Sequence, residues 1–307
     1  MIQVIDYFDK MYCSQKYNNK GDLKLGFLHS VVRAITRKVS NVILPIVLKN
    51  TCKTILRPST NEEVILSLTS FPLRTGKLWM VLESLLRQTI KPSRIIVWLS
   101  KCQFPTEESV PVSLLNYREK GVDIEFVEED YRSHKKYHYV VNRFPNSVLV
   151  TLDDDILYPS TMLENLLVAH HKYPNAVIAR YAYKMSYEDN GTIAPYSKWK
   201  RIMFPQPPSH NVFFGSGGGT LFPVGAFNED VKDIELARTL CPTADDVFLN
   251  AQCQLINTPI VVVDSKVALL NVQYKEDKRL ATANIDEGNA NDVQIAKVNS
   301  YYGKKIF

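Results

Sequence analysis

Three consecutive aspartates, Asp153 to Asp155, sit within the stretch SVLVTLDDDILYP. Three adjacent carboxylates repel one another unless positive charge lies among them. A hard divalent cation carrying phosphate oxygens meets that need. A solvated loop that also caps a helix starting near Ser160 meets it too, and the triplet alone favours neither. A second group lies in NVFFGSGGGTLFPVGAF, residues 211–227, where Gly215, Gly217, Gly218 and Gly219 fall together. Such a backbone can approach a ligand closely or adopt positive φ. It matches neither common phosphate-loop pattern, and the alternative is a flexible connection. A third group, Asp245 and Asp246, opens the apolar-periodic run of CPTADDVFLNAQCQLIN. One carboxylate there suffices to cap a helix and complement its dipole, so the second is a surplus that hints at chemistry.

The elements that position these groups are legible from residue 62 onward. EVILSLTSF predicts a strand, and KLWMVLESLLRQT a helix with Leu78, Leu82, Leu85 and Leu86 on one face. SRIIVWLS and VDIEFVEED predict two more strands, and KKYHYVVNRFP a short helix. The buried strand Ser147–Leu152 then delivers the aspartates, STMLENLLVAHHKYP follows as a helix capped by Ser160, and NAVIARYAY is a further strand. This alternation predicts an α/β fold with a mostly parallel sheet covered by helices. Ligands in such sheets gather at the carboxyl ends of strands, where Thr69, Ser70 and Asp153 to Asp155 fall. MFPQPPS reads as a Pro-rich loop.

With 307 residues, 45% apolar and 22% charged, the chain has the composition of a soluble globular protein with a sizeable core. Five scattered cysteines, Cys13, Cys52, Cys102, Cys241 and Cys253, contain no CxxC pair and fit reduced thiols better than a disulfide framework or zinc site. No secretory signal opens the sequence, and no apolar run is long enough to span a bilayer. The net charge of +5 is uneven: residues 1–60 hold ten Lys or Arg against three Asp, which leaves the remainder at −2. A nearly neutral body argues against a nucleic-acid surface.

Within that basic segment, Leu28, Val32, Ile35, Val39, Val42 and Ile46 recur at helical spacing, with Arg33 and Arg37 on the opposite side and Pro45 expected to kink or end the helix. Three partners fit such a helix: the main domain, an anionic membrane, or a coiled-coil contact.

In their order, TSFPLR after the first strand, LDDDILYP at a strand end, GSGGGTLFP and ADDVFL resemble bacterial glycosyltransferases of the GT-A fold. They look most like family-2-type enzymes that build surface polysaccharides such as capsule or O-antigen. The resemblance covers about Glu62 to Asp264. It implies a GT-A (Rossmann-like) domain over residues 61–307 behind a helical extension over 1–60. It also implies a non-processive, inverting, metal-dependent enzyme using Mn2+ or Mg2+. The donor implied is a nucleotide-diphosphate sugar, with a UDP-sugar the first choice, and the acceptor a glycan or lipid-linked molecule. The protein would be cytoplasmic and peripheral at the inner face of the cell membrane. Carried onto this chain, Asp155 is the direct metal ligand, with Asp153 as a further ligand and Asp153 or Asp154 addressing the ribose. Thr69, Ser70 and Phe71 line the nucleobase; Arg74 and Lys135 or Lys136 meet the diphosphate, unless they are solvated surface charges. The Gly217, Gly218, Gly219, Thr220 stretch flanks donor sugar and acceptor, and Asp246 is the base with Asp245 in reserve.

The chain also departs from that pattern. After the second strand VWLSKCQF offers only Ser100 where many relatives read the base with an acidic residue. No QxxRW follows Asp246, which excludes the signature of a processive synthase, and no histidine follows His210 to act as a late metal ligand. His134, His138, His170 and His171 read as structural. Phosphoryl transfer through Asp153 would need DxDx[TV], but position 157 is Leu. A pyrophosphorylase would need a Gly-rich loop where LTSFPLRTG stands. A non-catalytic, membrane-associated sugar-nucleotide-binding or scaffold protein is the remaining alternative.

Overall fold

A computed structural model describes residues 3–13, 26–51, 54–263, 269–274, 290–303 and 305–307; Cys52 and Asp264 lie outside them. The helices are α1 (Val4–Cys13), α2 (Gly26–Asn50), α3 (Pro72–Leu86), α4 (Val112–Leu115), α5 (Lys135–Arg143), α6 (Met162–Lys172), α7 (Ile234–Leu240), α8 (Asp245–Leu255) and α9 (Ala290–Tyr301). The strands are β1 (Val64–Thr69), β2 (Arg94–Ser100), β3 (Val122–Val127), β4 (Val148–Leu152), β5 (Val177–Ala179), β6 (Ala182–Lys184), β7 (Lys200–Arg201), β8 (Gln206–Ser209), β9 (Val212–Phe214), β10 (Gly218–Phe222) and β11 (Ile260–Val262).

The fold is the α/β arrangement expected from the alternation: an eight-stranded sheet ordered β3-β2-β1-β4-β10-β5-β11-β8, with a small β7-β6-β9 sheet beside it. Pairs β1–β2, β2–β3, β1–β4 and β5–β11 are parallel, while β10 runs antiparallel between β4 and β5. Successive residues of β1 point to opposite faces. Val64, Leu66 and Leu68 accordingly join one core with α1, α2, α3 and α6, and Ile65 joins another with α5 and α8. The chain order steps outward from β1 to β2 and β3, then reverses to place β4 on the other side of β1. That reversal opens a crevice beyond the carboxyl ends of β1 and β4.

Several local readings need correction. Helix α3 begins five residues before the expected Lys77, because Pro72 at its first turn has no N–H to leave unpaired. Ser160 does not cap α6: the residue before the helix is Thr161, and Ser160 donates through N–H and Oγ to Asp6 of α1, at 2.6 and 2.7 Å. Pro45 lies inside α2 without ending it. Its cost of about 3 kcal/mol is offset by burial of Leu44 and Leu48, at roughly 1.5–3 kcal/mol each. MFPQPPS is not wholly loop, since its last four residues form β8, an edge strand that tolerates proline. NAVIARYAY breaks into β5 and β6 around a buried Arg180.

The extension is part of the body's core: Ile5, Phe8 and Tyr12 of α1 and Leu44 and Leu48 of α2 pack with β1 and α3. The stripe from Leu28 to Ile46 is not the face that packs. Among the described residues no helix is long and apolar enough to cross a membrane, and Cys13, Cys102, Cys241 and Cys253 are free thiols.

Helix α3 carries Arg74 in its first turn and is fixed from its far end by Glu83, which is 0% exposed. Its carboxylate accepts from Tyr117 Oη at 2.9 Å, Lys120 Nζ at 2.8 Å and Arg87 Nη2 at 3.0 Å. Removing one partner of a buried ion pair strands the others, so Glu83→Ala should lower the unfolding free energy in urea by about 3–5 kcal/mol. A loss under about 1 kcal/mol would show that solvent supports this cluster.

Candidate active site

The protein itself supplies cations to the three aspartates at the end of β4. Asp154 turns inward, accepting from Ser70 Oγ at 2.6 Å and Arg74 Nη1 at 2.6 Å. Burial pushes its carboxyl upward against the pull of Arg74 and Ser70. Asp155 lies 3.3 Å from the same Arg74 nitrogen. Asp153 pairs with Lys136 Nζ at 3.0 Å. The repulsion that suggested a metal is thus relieved within the protein by Arg74 and Lys136.

Lys136 connects the strand end to the helix end. Its buried ammonium also meets Asp245 Oδ2 at 2.9 Å. Burial alone would favour the neutral amine, but Asp153, Asp245 and Asp246 outweigh it and hold the lysine charged, well above its ordinary pKa. The position is set from beneath: Ser67 Oγ of β1 donates to the Lys136 carbonyl at 2.5 Å and accepts from Trp98 Nε1 at 2.8 Å. Lys135, its neighbour in sequence, turns away and pairs with Asp130.

Asp245 and Asp246 do not act as the helix cap. Ala244 precedes α8, and its N–H donates to Gln294 Oε1 of α9 at 3.1 Å. The aspartates instead grip the glycine stretch through Ser216, whose Oγ donates to Asp245 Oδ2 at 2.6 Å and whose N–H donates to Asp246 Oδ1 at 2.7 Å. Burial tends to raise both carboxyls. For Asp245, Lys136 and its hydrogen bonds win and bring it down to about 2. For Asp246, burial and the adjacent Asp245 charge win and raise it to about 7. The pair therefore divides into a fixed anion and a proton acceptor matched to neutral pH.

The glycines are required by contact. A Cβ at Gly217 would fall 1.8–2.3 Å from the Asp153 carboxylate, and one at Gly218 would meet Tyr181 Cβ at 2.6 Å. Gly219 has φ +89° at the bulge where β10 pairs with β4. Tyr158, fully buried, accepts from the Asp153 N–H at 2.8 Å and donates to the Gly217 carbonyl at 2.6 Å. Thr151 Oγ1 donates to the Ser216 carbonyl at 2.7 Å.

The structure therefore brings together Ser70, Arg74, Lys136, Asp153, Asp154, Asp155, Gly217, Gly218, Gly219, Asp245 and Asp246. Thr69 bonds sideways to the Trp98 carbonyl at 2.9 Å, and Phe71 precedes α3 with the Arg74 guanidinium 5.3 Å from its ring centre. Ser100 faces inward and accepts from the Cys102 N–H. His134 bridges Tyr137 Oη and the Cys241 carbonyl, a structural role. Sequence reading missed Tyr158, Tyr181 and Ser216. Tyr158 was an aromatic inside LDDDILYP, Tyr181 was one residue of an apolar run read as a strand, and Ser216 was hidden among the glycines. A cavity of about 510 Å³ on the small sheet, lined in part by Lys184, Arg201 and Phe204, shares no lining residue with this cluster.

No family model matches the chain, and no curated protein matches it in sequence. Solved structures to which the chain is similar include S. aureus TarS 1-349 in complex with UDP-GlcNAc, at 12% identity and a TM-score of 0.46, covering 77% of this chain and 66% of that one. Mannosyltransferase PcManGT from Pyrobaculum calidifontis, in complex with GDP-Man and Mn2+, is 14% identical with a TM-score of 0.47, covering 86% and 74%. A 2-C-methyl-D-erythritol 4-phosphate cytidylyltransferase from Thermus thermophilus is 12% identical with a TM-score of 0.41, covering 74% and 97%. The chain thus spans just under two thirds of the TarS chain. At these levels the choice of chemistry rests on the chain's own residues.

If Asp153 is packed against the glycine backbone, Gly217→Ala should destabilise the protein by about 1–3 kcal/mol, the usual scale of overpacking. Gly76→Ala, in α3 with nothing within 4 Å of the added methyl, should stabilise it by up to about 1 kcal/mol. Equal thermal midpoints for the two variants would contradict that contact.

Proposed function

We propose that the protein is a glycosyltransferase that moves a sugar from a nucleotide-diphosphate donor to the hydroxyl of a glycan or lipid-linked acceptor. The reading rests chiefly on one observation: Lys136 touches both Asp153 and Asp245, so the strand-end aspartates and the helix-end pair form one site. A UDP-sugar is the first donor to test, surface polysaccharide the first class of product, and the cytoplasmic face of a membrane the place where such an acceptor is met.

In this reading a divalent cation would be held jointly with the donor. Among the described residues no group of three or more His, Cys, Asp or Glu side chains could hold an ion. Asp155, with Asp153, would supply one or two carboxylates, and the diphosphate and water the remaining oxygens, as Mg2+-type sites often do. When bound, such a cation stabilises negative charge on the departing diphosphate. Arg74, beside Asp154 and Asp155, adds a guanidinium suited to phosphate oxygens. Asp246 accepts the proton of the attacking hydroxyl. The acceptor oxygen bonds to the anomeric carbon as that carbon's bond to the diphosphate breaks, the electron pair leaving with the diphosphate. One base and one displacement invert the anomeric centre. In this reading the Gly217, Gly218, Gly219 stretch, packed against Asp153 and Tyr181, lies beside the donor sugar.

Donor turnover should rise with pH through a midpoint near 7, because Asp246 accepts a proton only when ionised. Asp246→Asn should remove that limb and lower transfer about a hundredfold or more, while donor affinity stays within a few-fold. Normal turnover in Asp246→Asn together with loss in Asp245→Asn would exchange the two roles. In manganese, Asp155→Asn should weaken nucleotide-sugar binding by calorimetry; unchanged affinity would remove it as a ligand.

A further inference from the structure

Helix α2 is held to the body by one face and leaves a different, apolar face bare. Thr36, Ser40, Leu44 and Leu48 are buried. Asn41 donates through Nδ2 to the Asn271 carbonyl at 3.0 Å and accepts from the Gln273 N–H at 2.7 Å. Arg33, opposite the apolar stripe as its spacing predicts, lies 5.1 Å from the Tyr12 ring centre on the docked side. On the outward side Leu28, Val32, Ile35, Val39, Val42 and Ile46 are each between 38% and 66% exposed. At 1.5 Å per residue this stripe runs about 27 Å along the surface, far more contiguous apolar area than scattered surface residues account for.

Charge distinguishes the possible occupants. Helix α2 contains Arg33, Arg37, Lys38 and Lys49 and no acidic residue, and residues 1–60 carry +7. Lys38 and Lys49 are exposed. A second copy laid on the stripe would bring together two helices whose charges are all basic, whereas an anionic bilayer offers apolar chains and opposite charge at once. We propose that the outward face of α2 seats this protein on an anionic phospholipid bilayer, with the helix lying in the plane of the interface. The docked face makes that seat rigid. The segment 269–274, anchored by Asn41, also reaches the aspartates: the Val272 N–H donates to the Asp155 carbonyl at 2.7 Å, and Tyr274 Oη donates to the Asp154 carbonyl at 3.3 Å. The acidic cluster is thereby held at a fixed distance from the surface on which a lipid-carried acceptor would arrive. The docking itself does not depend on the glycosyl-transfer reading.

The test is co-sedimentation of the intact protein with vesicles of phosphatidylglycerol and phosphatidylcholine, without donor or metal. The protein should pellet with anionic vesicles at low salt, release at high salt, and ignore pure phosphatidylcholine. Val42→Asp/Ile46→Asp changes exposed positions, so it should melt like the parent protein and bind at least about tenfold more weakly. Intact protein that stays in the supernatant with anionic vesicles would overturn the proposal, as would a double variant that pellets like the parent. A dimer abolished by the same variant, with no vesicle binding, would assign the stripe to a second copy and also overturn it.

Discussion

A buried ammonium with no counterion is among the more costly groups a core can hold, and Lys136 is tolerable only because Asp153 and Asp245 close on it from two sides. The dependence runs both ways. Without Lys136, Asp153 and Asp245 would face each other's charge in a poorly solvated space, and Asp245 would lose the partner that keeps it ionised. With Asp245 fixed as an anion, its field helps raise Asp246 toward neutrality. One lysine therefore joins two segments almost a hundred residues apart and divides the labour of the acidic pair.

The rest of the fold keeps that lysine in place. The reversal of strand order puts β4 beside β1, so the aspartates and Ser70 share a crevice. Ser67 and Trp98 hold the start of α5 against the sheet. Tyr158 and Ser216 lock the glycine stretch to the aspartates with short hydrogen bonds to backbone. A larger residue at Gly217 would take the space that the Asp153 carboxylate occupies.

Much of this was legible in the sequence because it follows from local pattern. The apolar runs of β1, β2 and β4 mark buried strands, and a triplet of aspartates after such a run marks the ligand end of a sheet. The identity of the cations was not legible. Lys135 and Lys136 are equivalent in a one-dimensional reading, and only the turn before α5 decides that one meets Asp130 and the other the site. The partner of the α2 stripe was left open for a related reason: the buried face of the helix is carried by Thr36 and Ser40 as well as leucines, so periodicity drew attention to the exposed side. The capping roles given to Ser160 and to one of the aspartates were locally sound, yet tertiary partners, Asp6 and Ser216, claimed those side chains.

The central claim is that the two acidic motifs form a single donor site joined by Lys136. The most direct measurement is a crystal structure of the intact protein soaked with a nucleotide-diphosphate sugar and manganese. The diphosphate is expected beside Asp153 to Asp155 and Arg74, with the sugar's anomeric carbon on the side of Asp246. A nucleotide bound elsewhere, for instance in the cavity lined by Lys184, Arg201 and Phe204, with the aspartates still in their contacts with Ser70, Arg74 and Lys136, would contradict it.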